Sequence, residues 1–222
     1  MKKVSLLVIT FSILVGSLSS TYAYSIDFLT GITDAKSFLV PVGVNSSNLL
    51  DTNLKNTLSS SPWIGVSYGL APNLDIWTFG ALSSVIVRYD FTAGKNLFIG
   101  GLGVDASSIT PRIDIFKSYN DKFFLEVNFN ASVPFTDAGK TTLNFDVCPA
   151  FNLSKVVYGY VEILPAYSLD KDVGFNLDIS PGINLVSEKG FGFAFGPRIG
   201  GLSQKKQTLS IETMWWYSFG VK

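Results

Sequence analysis

The most restrictive feature of this sequence is an alternation of apolar and polar residues with a period of two. In one stretch, Phe123, Leu125, Val127, Phe129, Ala131 and Val133 alternate with Phe124, Glu126, Asn128, Asn130 and Ser132. The same pattern returns over residues 143 to 153, 173 to 185, 191 to 200 and 209 to 219. Because successive side chains of a strand point to opposite faces, this period predicts β-strands with one apolar and one polar face.

Short polar turn signals separate these runs, so the chain is predicted to fold as consecutive antiparallel hairpins. The predicted strands span residues 24–33, 62–70, 74–82, 84–91, 97–105, 109–117, 122–133, 142–153, 156–168, 173–185, 191–201 and 208–220. If residues 74 to 91 and 97 to 118 each form one long strand, the predicted number falls from twelve to ten. The fold class is all-β in either case.

The first 23 residues have the features of a secretory signal peptide. Lys2 and Lys3 precede a mostly apolar, uncharged run over residues 4 to 15, and Thr21-Tyr22-Ala23 provides small residues at the cleavage-reading positions. We therefore expect residues 1–23 to be removed on export and residues 24–222 to form a single domain.

An exported all-β chain can be a membrane barrel or a soluble sandwich, and the composition favours the barrel. The chain has 18 Phe, 9 Tyr and 4 Trp but only 15% charged residues, and Phe dominates the apolar face of the later strands. A membrane barrel turns such a face toward lipid, whereas a sandwich must bury it between two sheets. The sequence predicts an antiparallel up-and-down transmembrane barrel, with a secreted sandwich as the alternative.

Several classes of function are disfavoured by the residue inventory. Lys and Arg (17) balance Asp and Glu (17), so no strongly basic surface is expected to bind nucleic acid. The chain has no histidine and one cysteine, Cys148, which leaves it without the usual proton-transfer group, the commonest metal ligand and an intramolecular disulfide. We predict no catalytic residues, no metal site and no cofactor, and hence a protein that is not an enzyme.

Two segments resemble bacterial outer-membrane β-barrels of the small porin type. Ser67-Tyr68-Gly69-Leu70-Ala71-Pro72-Asn73-Leu74-Asp75 is similar to the periplasmic hairpin of many such barrels, with Asp75 replacing the usual Glu. The segment from Leu209 to Phe219 resembles the family's C-terminal assembly signal, although Gly220, Val221 and Lys222 follow the aromatic residue on which the family usually ends. The resemblance covers residues 24–222 and implies an outer-membrane location, with lipid and the barrel assembly machinery as partners.

The polar face of the strands is expected to line the lumen. The predicted lining residues are Arg88, Asp90, Arg112, Asp114, Glu126, Asp146, Glu162, Asp178, Arg198 and Glu212, with Tyr158, Tyr160 and Trp216 as lumenal aromatics. Excess carboxylates lower the electrostatic cost of cation entry, so a passive channel for small solutes with a cation-leaning lumen is predicted. The alternative is a non-conducting structural or surface-interaction barrel whose lumen is closed by salt bridges.

Residues 34–61 form the longest stretch without clear alternation. We expect this segment to be a long extracellular loop, because such barrels keep their longer loops outside. Leu50, Leu54 and Leu58, spaced four apart, predict a short helix within it.

Overall fold

The computed structural model describes residues 33–47, 59–80, 83–92, 96–136, 139–170, 174–187, 191–204 and 207–220. Within these ranges the chain forms twelve strands: β1 Ser37–Ser47, β2 Ser59–Ala71, β3 Leu74–Phe79, β4 Ser84–Asp90, β5 Asn96–Asp105, β6 Ser108–Ser118, β7 Phe123–Pro134, β8 Thr142–Asn152, β9 Val157–Ser168, β10 Phe175–Val186, β11 Phe191–Gly200 and β12 Thr208–Gly220. No described segment is a helix long and apolar enough to cross a membrane.

The twelve strands form a closed barrel in which each strand pairs with its sequence neighbours. All pairings are antiparallel, and β1 pairs with β12 from Ser37↔Gly220 to Ser46↔Ile211 to close the sheet. Closure leaves no sheet edge with unpaired backbone groups, which is the condition for a β-structure in hydrocarbon. The predicted fold class, an antiparallel up-and-down barrel of twelve strands, is confirmed.

The barrel has two distinct ends. The start of β1 and the end of β12 lie at one end, together with the β2–β3, β4–β5, β6–β7, β8–β9 and β10–β11 turns; we call this the terminal end. The β1–β2 connection and the other alternate turns lie at the opposite end, which we call the loop end. An even number of antiparallel strands requires this arrangement, with both ends of the sheet on one side.

The outer face of the barrel is apolar. Outward residues such as Phe129, Phe145, Ile183 and Phe195 are more than a third exposed, although they are large and hydrophobic. Aromatic rings also pack together outside the terminal end, in the pairs Phe38–Tyr68, Phe38–Phe219, Tyr217–Phe219, Tyr119–Phe123 and Phe123–Phe151. An apolar belt with an aromatic band at its edge is the surface that a lipid bilayer and its interface require.

Eleven of the predicted strands correspond to β2 through β12, with boundaries within a few residues. The ten-strand alternative is wrong because two short turns interrupt the long runs. At the first turn, Gly80 adopts φ 54° and Ser83 N donates to Phe79 O. At the second, Asp105 Oδ1 accepts hydrogen bonds from the backbone of Ser107 and Ser108, which reverses the chain after β5.

The expectation of a long loop over residues 34–61 is wrong. Residues Ser37–Ser47 form β1 and Ser59–Ala71 form β2, so only residues 48 to 58 connect the two strands. The predicted first strand (24–33) and the predicted helix around Leu50, Leu54 and Leu58 lie outside the described residues, except for Thr33, which precedes β1 and is not in a strand.

Candidate functional site in the barrel lumen

The lumen is lined by every second residue of each strand, and the register aligns these residues in rows across the sheet. One row runs from Phe116 through Glu126 to Cys148, and another pairs Glu162 with Ser180. All of the sequence-predicted lining residues lie on the inward face of their strands. Except for Asp90 and Arg198, which are half-buried, the predicted charged residues are buried.

The first ion pair joins β3 and β4 toward the terminal end. Arg88 Nε donates to Asp75 Oδ1 at 3.0 Å and Arg88 Nη2 donates to Asp75 Oδ2 at 2.6 Å, which is a two-pronged contact. Asp75 Oδ2 also accepts from Trp77 Nε1 at 3.0 Å and from Thr33 N at 2.9 Å. The Arg88 guanidinium lies 4.8 Å from the centre of a Trp77 ring. The carboxylate is therefore fully buried and held from several sides.

Asp75 was not among the predicted lining residues. In the sequence, Asp75 belongs to the segment that resembles a periplasmic hairpin. Its neighbours on the same face of β3, Trp77 and Phe79, are aromatic rather than polar. Only the alternation of side chains along the strand could have identified Asp75 as a lining residue. Asp75 is two residues from Trp77, so both point inward, and it is directly opposite Arg88 in the register.

The second ion pair lies within β6. Arg112 Nε and Nη2 donate to the two oxygens of Asp114 at 3.1 and 2.7 Å. Asn128 Nδ2 also donates to Asp114, and the network continues through Asn130 Nδ2 to Asn128 Oδ1 at 2.9 Å and Asn144 Nδ2 to Asn130 Oδ1 at 2.8 Å. Three asparagines on β7 and β8 thus extend a charged pair into a hydrogen-bonded ladder across the sheet.

The third ion pair is centred on Arg198 in β11. Its Nε and Nη2 donate to Asp178 Oδ2 at 3.0 and 2.6 Å, and its Nη1 donates to Glu212 Oε1 at 3.4 Å. Asp178 Oδ1 in turn accepts from Gly201 N and Asn176 Nδ2, each at 2.9 Å. These contacts fix the side chain of Arg198 between strands β10 and β12, near the loop end.

Carboxylates predominate in the lumen. Among the described residues, the buried acids that face inward are Asp75, Asp114, Glu126, Asp146, Glu162, Asp178 and Glu212, and the arginines that face them are Arg88, Arg112 and Arg198. We refer to Glu126, Asp146, Glu162 and Asp178, on β7 to β10, as the carboxylate side. Among the described residues, seven inward-facing buried acids thus stand against three inward-facing arginines.

Asp90 occupies the rim rather than the middle of the lumen. It is the last residue of β4, and its Oδ1 accepts from Thr92 N at 2.7 Å and from the Thr92 hydroxyl. Its carboxylate therefore caps the turn that follows β4.

The opposite side of the lumen is apolar, which the sequence reasoning did not anticipate. A cluster of Leu39, Trp77, Ile86, Ala194, Met214 and Trp216 is buried inside the barrel, and Trp63, Phe79 and Val186 pack against it. We call this cluster the aromatic side. Of the predicted lumenal aromatics, Trp216 belongs to it, Tyr160 packs with Cys148 and Ala150, and Tyr158 lies nearer the terminal end.

Several inward rings lie flat against the barrel wall over a glycine of the adjacent strand. A side chain at Gly192 would overlap the Trp216 indole, and one at Gly43 would overlap Trp63. Tyr160 likewise lies over Gly182. Glycine permits this close approach because it has no Cβ. The rings consequently occupy the wall rather than projecting straight across the lumen.

The described lumen has a cavity at each end and a closed section between them. A cavity of about 310 Å³ at the loop end is lined by Lys140, Thr142, Ala166, Ser168, Asp170, Gly174 and Asn176. A cavity of about 380 Å³ at the terminal end is lined by Phe116, Ser118, Asn120, Asp121, Phe124, Asn152, Tyr158, Asn184 and Val186. Between them, Cys148, Ala150, Tyr160, Glu162, Ser180, Ala194 and Met214 are each at most 3% exposed. Passage of a solute therefore requires side chains of this section to move.

The described residues contain no group of three or more acidic, cysteine or histidine side chains arranged to hold a metal ion. The buried carboxylates of the described lumen are spread over several strands, from Asp75 on β3 to Glu212 on β12.

Known structures share this fold. A KdgM porin aligns with a TM-score of 0.55 at 9% sequence identity, covering 81% of this chain and 99% of the porin. An outer-membrane channel from Pseudomonas putida F1 aligns with a TM-score of 0.59 at 7% identity, covering 85% of this chain and 97% of the channel. A NanC porin aligns with a TM-score of 0.56 at 7% identity, covering 81% and 98%. The predicted resemblance to outer-membrane porins is confirmed at the level of the fold.

No protein-family model and no curated protein matches the sequence.

Proposed function

We propose that this barrel is a passive outer-membrane channel for small solutes and that its lumen prefers cations. The observation that carries the proposal is the excess of buried carboxylates over arginines inside a closed barrel. An excess of acidic over basic side chains lowers the electrostatic cost of cation entry into the lumen. The same carboxylates raise the electrostatic cost of anion entry.

The fold supports the channel part of this proposal. The similar structures are described as porins or as an outer-membrane channel, and the apolar belt of this barrel fits a lipid bilayer. As part of the same proposal, the barrel inserts by means of its C-terminal strand, and acts as a conduit rather than as an enzyme.

The closed section sets the expected size of the solutes. Since Tyr160, Glu162 and Ser180 are nearly inaccessible to solvent, only ions and small molecules can pass without displacing the strands themselves. We expect a low conductance that depends on side-chain motion in this section.

A second candidate function is a non-conducting barrel that acts through its surface. The three arginine-centred ion pairs favour it, because each arginine donates two hydrogen bonds to a carboxylate that is buried in the lumen, which holds the side chains in place and resists opening. In this case the closed section is the permanent state of the lumen.

Planar-bilayer recordings of the purified protein separate the two candidates. Discrete conductance steps in KCl support the channel. A protein that inserts and retains the heat-modifiable gel mobility of a folded barrel, but gives no steps at any voltage, supports the non-conducting barrel and contradicts the channel.

A further inference from the structure

The cavity at the terminal end has the composition of a binding site for an organic cation. Its lining combines three aromatic rings, from Phe116, Phe124 and Tyr158, with the carboxylate of Asp121 and the carboxamide of Asn184. Its volume of about 380 Å³ is within the range of small-molecule sites.

The three rings form a curved wall. The Phe116 and Phe124 ring centres are 5.3 Å apart with their planes inclined at 41°, and Phe124 and Tyr158 are 5.7 Å apart in an edge arrangement at 67°. All three rings are half-buried. Rings at these angles present faces in different directions, and the negative face of an aromatic ring attracts a cation.

Asn184 supplies a second, independent feature. It is 1% exposed, it lines the cavity, and its Oδ1 atom is buried without a hydrogen-bond donor among the described residues. Such an acceptor costs free energy until a donor reaches it. A ligand with an N–H group can supply this donor once the carboxamide turns toward the cavity.

The charges around the cavity distinguish a cation from other ligands with donors. Among the described lining residues Asp121 is an acid and none is Lys or Arg, and Glu126 is the register partner of Phe116 on the neighbouring strand. A sugar could stack on the rings and donate hydrogen bonds to Asp121 and Asn184, but it carries no positive charge for the carboxylate and the ring faces to attract.

We infer that the terminal cavity binds a protonated amine with a small apolar body, its ammonium group directed to Asn184 and to the ring faces of Phe116, Phe124 and Tyr158, and its body packed along the same rings. The role of this site as an entry station for permeating cations rests on the proposed channel function. Binding itself does not.

Calorimetric titration of the purified protein in detergent tests the site without requiring conduction. The probes are phenethylamine, its neutral counterpart phenethyl alcohol and the anion phenylacetate, each also titrated into empty micelles. We expect phenethylamine to bind about tenfold more tightly than the alcohol, because only the amine has a positive charge that attracts the rings and the carboxylates, and phenylacetate not to bind.

Two variants and a control locate the binding. Asn184→Leu should weaken phenethylamine binding about tenfold, and Asp121→Asn, in an exposed turn, should weaken it about threefold, with a smaller effect at high salt. Asn176→Leu, on the same strand and face but at the loop end, should leave binding unchanged. Asp121→Asn keeps the test decisive if Asn184→Leu does not fold.

Equal affinity for the amine and the alcohol would overturn the proposal, as would equal effects of Asn184→Leu and Asn176→Leu, or competition by methyl glucoside with an affinity like that of the amine. A barrel that is electrically silent but binds phenethylamine as described supports the site while the channel fails. A conducting barrel without preference for the amine refutes the site and leaves the channel intact.

Discussion

The two sides of the lumen are filled by different kinds of side chain, apolar on one side and acidic on the other. The aromatic side, with Trp77, Met214 and Trp216, is packed like the core of a soluble protein. The carboxylate side buries the acidic side chains of Glu126, Asp146 and Glu162, and its fourth member, Asp178, is paired with Arg198. We expect the first side to contribute chiefly to stability, because loss of packing is costly, and the second to set the proposed ion preference, because lumenal charge acts on a permeating ion.

The largest expected effect on the free energy of unfolding comes from the Asp75–Arg88 ion pair, which lies on the aromatic side. Asp75→Ala leaves Arg88 buried without its carboxylate, which should lower the free energy of unfolding by about 3–5 kcal/mol. Urea unfolding in lipid vesicles, followed by Trp fluorescence, measures this change.

The matched control is Asp90→Ala, which removes only the turn cap at the rim and should cost at most about 1 kcal/mol. The double variant Asp75→Leu/Arg88→Met should recover most of the stability. If it is as unstable as Asp75→Ala, the uncompensated charge is not the cause.

The next largest loss of stability is expected where an aromatic ring lies over a glycine. Gly192→Ala should displace Trp216 from the wall and cost about 1–3 kcal/mol through overpacking. Gly103→Ala is the control, since its Cβ would meet Ile86 at 3.4 Å, an ordinary contact, and should be neutral or slightly stabilising. Equal stabilities of the two variants in the same urea assay would show that the ring does not depend on Gly192.

A smaller effect is expected on the ladder that leads to the carboxylate side. Asn130→Ala removes the bonds to Asn128 and Asn144 and should cost about 1 kcal/mol. Because the ladder orients Asn128 toward Asp114, we also expect greater hydrogen exchange of β7 and β8 amides, measured by mass spectrometry. Unchanged exchange would indicate that the ladder does not restrain the two strands.

The smallest expected change in free energy concerns the preference of the lumen for cations over anions. Glu126→Gln should lower the K⁺-to-Cl⁻ permeability ratio about twofold, equivalent to about 0.4 kcal/mol, while the stability stays within about 1 kcal/mol. Asp90→Asn at the rim should leave the ratio unchanged. An equal change in both variants would contradict the assignment of selectivity to the carboxylate side.

The same comparison explains how far the sequence could predict the structure. Strands β7, β8 and β10 alternate between apolar and polar residues because one face is the apolar exterior of the barrel and the other a polar lumen. In β1 the inward residues Leu39, Pro41 and Gly43 are apolar or small, so the alternation disappears and the sequence predicts a loop where the structure has a strand. Asp75 was missed for the same reason, because its face of β3 is otherwise aromatic.

The sequence predicts that arginines and carboxylates share the lumen, but it identifies the partner of an arginine only where both lie on one strand. The sequence places Arg112 and Asp114 two residues apart on one face, so their contact follows from parity. The partners of Arg198, by contrast, are set by the register of β10, β11 and β12, which alternation alone does not determine.

The central claim is that a lumen dominated by carboxylates conducts cations in preference to anions. The most direct test is the zero-current potential of the purified protein in a planar bilayer separating KCl solutions that differ about tenfold in concentration. The account predicts that the dilute side becomes positive, because K⁺ crosses more readily than Cl⁻. A potential of the opposite sign, or one indistinguishable from zero, would contradict it.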